Sequence, residues 1–160
     1  MKIEQIYTGC LAQGAYYVVS EKEALIIDPL REIEPYLARL ASDGVQLKYI
    51  FETHFHADFV SGHLDLSKQT GAPIVYGPTA QPAFDALIAA DNQVFTVGNI
   101  QIKVLHTPGH TLESTTYLLI SEEGKEEAIF SGDTLFLGDV GRPDLAQKAV
   151  DMTQEQLAGM

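Results

Sequence analysis

At 160 residues, 46% of them hydrophobic, the chain is long enough for one domain with a sizeable core. Ten Lys and Arg against 22 Asp and Glu give a formal net charge of -12 and a pI near 4.6. That balance argues against a nucleic-acid or anionic-membrane surface, because phosphate binding needs clustered Lys and Arg; it leaves an anionic small substrate open, since a bound metal can dominate its local field.

No apolar run approaches the ~20 residues of a membrane span. The start, Met1-Lys2-Ile3-Glu4-Gln5, does not resemble a signal peptide. The single cysteine, Cys10, cannot form an intrachain disulfide, so the reading is a reducing, cytoplasmic setting without nucleic-acid or membrane partners. Cys10 itself reads as a small core residue.

The first strand is expected over Lys2 to Tyr7, where polar and apolar residues alternate. Tyr16 to Val19 and Ala24 to Ile27 form a hairpin around Glu21-Lys22-Glu23, and Asp28-Pro29 ends its second strand. Glu32 to Asp43 reads as a helix: Ile33, Leu37, Leu40 and Ala41 share a face, Pro35 fits the first turn, and Gly44 stops it. Leu47 to Phe51 is a continuous apolar strand, expected to be buried on both faces. A short helix over Leu64 to Thr70, a strand over Pro73 to Tyr76 and a helical turn or two over Pro82 to Ile88 follow. Gln93 to Val97 and Ile100 to Leu105 surround Gly98-Asn99, a hairpin turn. Thr115 to Ile120 and Ala128 to Phe130 are the last strands, then a loop over Gly138 to Asp144 and a final helical segment over Leu145 to Leu157.

One pattern recurs. A strand ends and a turn at once presents a residue able to hold metal: His54 and His56, then His110, then Asp133. Ligands at strand ends sit on a rigid scaffold while the loops leave room for substrate. Neutral imidazoles with a carboxylate suit Zn, Fe, Mn or Co, and no cysteine lies in these loops, which weakens a structural zinc reading. Two histidines and one carboxylate leave positions open for substrate and dioxygen, whereas a third histidine favours hydrolytic activation of water. Spacing does not choose between them.

Thr53-His54-Phe55-His56-Ala57-Asp58, Thr107-Pro108-Gly109-His110-Thr111 and Ser131-Gly132-Asp133-Thr134-Leu135 resemble the ordered metal motifs of the metallo-β-lactamase superfamily. Gly9-Cys10-Leu11-Ala12, Ile27-Asp28-Pro29 and Gly141-Arg142-Pro143-Asp144 bring the chain nearest to the persulfide dioxygenases within it, in the form fused to rhodanese domains. The resemblance covers Ile3 to Lys148. It implies an α+β fold, an αββα sandwich present only in its N-terminal portion across 1–160. It implies one Fe(II) per chain on His54, His110 and Asp133, with zinc possible in a recombinant sample. His56 and Asp58 would serve catalysis beside the metal, His56 either as a supporting group or as a weaker ligand and Asp58 by orienting ligands through hydrogen bonds. The implied reaction is oxidation of a low-molecular-weight persulfide by dioxygen to sulfite and thiol. A glyoxalase II-like thioester hydrolase is the first alternative, and a catalytically incomplete metal-binding fragment the second.

Two departures sharpen this. Binuclear hydrolases of the superfamily carry a histidine directly after the motif aspartate, where this chain has Phe59; phenylalanine cannot ligate, which favours one metal and still permits a one-metal hydrolase. Family catalytic domains are also longer, so the resemblance implies a fragment of a larger protein, with a rhodanese partner domain beyond it and self-association through exposed strand edges. Arg142 and Asp144 are expected to pair and fix the loop beneath Asp133.

Overall fold

The computed structural model describes residues 1–142 and Thr153. The expected helix over 145–157 (Thr153 apart) and the partner expected for Arg142, Asp144, lie outside the described residues.

Strands β1 (Lys2–Thr8), β2 (Gln13–Ser20) and β3 (Glu23–Ile27) form an antiparallel meander. β4 (Gln46–Phe51), β5 (Ile74–Tyr76) and β6 (Leu87–Ile88) extend it in parallel, giving the order β1-β2-β3-β4-β5-β6. Parallel neighbours need a crossover, and two helices supply it: α1 (Glu34–Asp43) between β3 and β4, α2 (His63–Thr70) between β4 and β5. α1 carries proline in its first turn and ends where Gly44 turns left-handed at φ 62°. There the Gly44 N–H donates to the Ala41 carbonyl at 3.3 Å and the Val45 N–H to the Leu40 carbonyl at 3.1 Å.

A second, antiparallel sheet in the order β10-β9-β8-β7 is built from β7 (Val94–Val97), β8 (Ile100–His106), β9 (Thr115–Ile120) and β10 (Glu126–Phe130). The alternation of its strands decides its packing. Phe95, Val97, Ile100, Ile102 and Val104 point inward and meet Val18, Leu25, Ile27, Phe51 and Val75 of the first sheet in one apolar cluster. The opposite face of the first sheet buries Tyr17, Ile26 and Ile50 against Tyr36 and Leu40 of α1 and Leu66 of α2. The described residues thus stack as helix, sheet, sheet, which is the expected sandwich with one helical layer described.

Phe51 links this packing to function. It is fully buried, with its ring centroid 4.7 Å from that of Tyr117 and 5.4 Å from that of Phe95. Burial of such a side chain stabilises by roughly 1.5–3 kcal/mol. It pins the end of β4, from which Glu52, Thr53 and His54 emerge, and the Tyr117 hydroxyl donates to the Glu52 carbonyl at 2.8 Å.

Three expectations change. Pro82 to Ile88 is not helical: Leu87 and Ile88 pair with Val75 and Tyr76, because Phe84 and Ala86 pack on the α1/α2 core and draw the segment along the sheet edge. Part of the loop over Gly138 to Asp144 instead pairs back, β11 (Leu135–Phe136) with β12 (Asp139–Val140). Cys10 is exposed, since it sits in the turn between β1 and β2 rather than on a strand face. Among the described residues no helix is long and apolar enough to cross a membrane.

Candidate metal centre

Three loops bring His54, His110 and Asp133 together, with one ligand atom of each lying within 4.8 Å of the others. His54 follows β4 directly and is buried. His110 lies on the loop between β8 and β9, which is closed by the Thr107 N–H donating to the Ser114 carbonyl at 2.9 Å and the Thr111 N–H to Ser114 Oγ at 3.0 Å. Asp133 sits in a 3-10 turn, Gly132–Thr134, at the end of β10. The His54 and His110 rings meet edge to face at 4.9 Å, and His110 Nε2 is 3.6 Å from Asp133 Oδ2.

Two glycines make this approach possible. At Gly132, φ is +49° and a Cβ would overlap Thr53 Oγ1, so only glycine lets the β10 turn lie against the β4 loop. At Gly141 a Cβ would overlap the Asp133 carbonyl and stand 3.2 Å from His110 Cβ. The end of the β11–β12 ribbon therefore rests on two of the three candidate ligands.

The donor set fits a divalent metal. Thr53 Oγ1 donates to Asp28 Oδ2 at 2.8 Å, so its lone pair receives the proton of His54 Nδ1 at 3.0 Å. That tautomer leaves His54 Nε2 as a free donor atom. Burial, then the charge of His56, pulls the His54 pKa down to about 4, which keeps the ring in the neutral form that ligates. Tetrahedral bonds of 2.0–2.2 Å set donors roughly 3.4 Å apart, close to the His110–Asp133 separation.

His56 is placed differently. Its Nε2 faces Asp28 Oδ1 at 3.1 Å and Glu52 Oε2 at 3.6 Å, which puts it in a second buried group with those acids. Burial works against its charged form, but the Asp28 carboxylate outweighs this and lifts its pKa to about 9. Asp58 is exposed and belongs to neither group, although its charge also favours protonated His56. Phe59 stacks on His56 with centroids 4.3 Å apart.

Sequence reasoning assigned no role to Asp28, Glu52 or Thr53. Asp28 adopts φ 48°, which turns its carboxylate back to accept the Thr53 N–H at 2.8 Å as well as its hydroxyl. Glu52 is fully buried, accepts from Ser61 Oγ at 2.6 Å and lies 3.3 Å from His63 Nδ1. The available signal was an acid placed immediately after a buried strand, at Ile27-Asp28 and again at Phe51-Glu52.

Beside the metal group opens a cleft of about 510 Å³, lined by Asp28, His56, Asp58, Phe59 and Asp133 together with apolar residues such as Leu11 and Phe136. Asp133 belongs to both the triad and the cleft, so a metal held there would face this space.

A family model described as the metallo-beta-lactamase superfamily matches residues 8–158. A hydroxyacylglutathione hydrolase of Synechococcus sp. (strain JA-3-3Ab) is 37% identical over 99% of this chain and 60% of its own length. Further relatives at 30% to 37% identity carry the same activity in their names, and the chain spans about half the length of the curated relatives it matches. A metallo-beta-lactamase structure from Staphylococcus aureus subsp. aureus COL superposes with a TM-score of 0.84 at 37% identity, over 92% of this chain and 47% of that one. The structure of ETHE1 from Myxococcus xanthus gives 0.80 at 29% identity, over 90% of this chain and 62% of that one.

These names correct the expected chemistry. Iron-dependent persulfide oxidation, with dioxygen as second substrate, is overturned by relatives named as hydrolases. The physical reason lies in the triad, since two imidazoles and a carboxylate serve water activation as readily as oxygen chemistry. What is common to the motifs at three strand ends, the sandwich beneath them and the model match over residues 8–158 is membership of a family: this chain belongs to the metallo-β-lactamase superfamily.

Proposed function

We propose that this chain carries the metal centre of a hydrolase that cleaves glutathione thioesters of hydroxy acids, using one divalent ion of the zinc class on His54, His110 and Asp133. The observation that carries the reading is the triad opening onto the cleft through Asp133, in a chain whose relatives are named hydroxyacylglutathione hydrolases. When bound, the ion supplies Lewis acidity, lowering the pKa of water and polarising a carbonyl.

The chain's own residues do the rest. Thr53 fixes the tautomer of His54, and Asp28 fixes Thr53. His56, on the cleft wall and held protonated by Asp28, offers positive charge next to the place where a thioester carbonyl or thiolate would gather negative charge. Asp58, exposed on the same wall, is placed to accept a proton from water entering the cleft. Phe59 backs His56 with an apolar ring and gives Asp58 no metal-binding neighbour, which supports one catalytic metal rather than two.

The test is thiol release from an S-(2-hydroxyacyl)glutathione, followed with a thiol-reactive dye. The zinc-loaded chain is expected to release thiol, and chelation or His110→Ala to abolish it. Full zinc occupancy with no thiol release, or release that survives both treatments, overturns the proposal.

A further inference from the structure

We infer that Asp28, Glu52 and His56 form a second, buried cation site next to the triad, the His54 and His56 rings lying 4.2 Å apart. It shares His56 with the hydrolase reading: an ion there would take the place of the proton on His56 Nε2, and the positive charge beside the cleft would then be the ion's.

The cluster is deeply enclosed, with side-chain exposures of 6% for Asp28, 1% for Glu52 and 8% for His56. Two carboxylates removed from water need compensating charge or several hydrogen bonds each. Asp28 receives two, from the Thr53 N–H and hydroxyl. Glu52 Oε1 receives the Ser61 hydroxyl, but Glu52 Oε2 has no hydrogen-bond donor, and it points at His56 Nε2, which is likewise without a hydrogen-bond partner.

The geometry of that last pair and of Asp28 separates a cation from a simple ion pair. His56 Nε2 stands 3.1 Å from Asp28 Oδ1 and 3.6 Å from Glu52 Oε2, yet an N–H on that nitrogen aims well enough at neither oxygen to make a hydrogen bond. In a direct bond the N–H points along the N···O line. Around a shared ion the lone pair points at the ion and off that line, and donors sit roughly 3.4 Å apart for bonds of 2.0–2.2 Å. The observed edges bracket that spacing. One imidazole and two carboxylates is a donor set suited to zinc or manganese.

The inference does not rest on the proposed activity, and its test reads metal rather than turnover. The chelator-stripped full chain is brought to equilibrium with a zinc buffer holding free zinc in the nanomolar range, and ions per chain are counted by native mass spectrometry. Two are expected for the wild type, one for Glu52→Gln and one for His110→Ala, which keeps the buried site and loses the triad. Zinc should still raise the thermal midpoint of His110→Ala and should not raise that of the double variant. One ion in the wild type with none in His110→Ala overturns the inference, as does Glu52→Gln retaining two. If Glu52→Gln does not fold, the His110→Ala count decides alone.

Discussion

Thr53→Val isolates the support of the metal centre from the centre itself. Valine matches threonine in shape, so the packing against Gly132 and the β4 end is kept while one oxygen is lost. That oxygen makes two bonds, donating to Asp28 Oδ2 at 2.8 Å and accepting from His54 Nδ1 at 3.0 Å. The bond to the buried carboxylate contributes about 1.5–3 kcal/mol by itself, since its loss leaves a charged oxygen short of a donor. His54 also loses the contact that selects its tautomer, and changes of this kind cost about 10- to 100-fold in metal affinity, or roughly 1.4–2.7 kcal/mol. Competition against a chromophoric chelator should therefore show zinc held 10- to 100-fold more weakly, while Thr53→Ser, which keeps the hydroxyl, stays near wild type. A folded Thr53→Val chain that binds zinc within about twofold of wild type would refute the assignment of Thr53 as the residue that sets His54.

Glu23 joins the two sheets by accepting from the Gly98 N–H at 2.6 Å and from Lys48 Nζ at 2.7 Å, contacts that hold its pKa below the ordinary 4.5. A depressed carboxylate stabilises above its unfolded pKa and loses that contribution as pH falls through the folded value; allowing for solvent screening, Glu23→Gln should lower stability by about 1 kcal/mol at neutral pH. Thermal scans should thus show a gap of about 2–4 °C at pH 7 that begins to shrink as the pH drops below 4.5 and is gone once the pH is below the lower folded value, and a gap that persists in strong acid would contradict the linkage. Gly141→Ala forces a Cβ onto the Asp133 carbonyl beside His110, so it should cost about 1–3 kcal/mol of stability together with zinc affinity. Unchanged chelator competition would show that the ribbon does not position Asp133.

The sequence made the three candidate loops readable because each candidate ligand follows a strand in the chain itself, so local order sufficed to single out His54, His110 and Asp133, which the fold brings together. The supports were harder to see because they are local only in space. Asp28 and Thr53 are 25 residues apart and meet because β3 and β4 are parallel neighbours ending side by side. Glu52 follows an apolar run, where an acid reads as a turn residue, and its burial comes from Tyr117 and Ser61 in other elements. Pro82 to Ile88 failed for the same reason: its edge pairing with β5 outweighed any local helical preference.

Phe59 shows where a single residue stops carrying an argument. Its ring cannot ligate, so the expectation that Asp58 lacks a metal-binding neighbour follows from chemistry alone, and the structure puts that ring to other use against His56. The number of metals, however, does not decide the reaction. Both oxygen and water need an open position on an ion, and a donor set of two histidines and one carboxylate would leave one for either. What separates the reactions is the group that waits beside that position. Here it is His56, which lines the cleft and whose charged form the Asp28 carboxylate favours. A fixed positive charge favours an oxyanion or a departing thiolate, which is the demand of thioester cleavage. Under the proposed thioester reading, His56, packed on His54 with its Nε2 toward Asp28 and Glu52, therefore bears more on the chemistry than the missing ligand does.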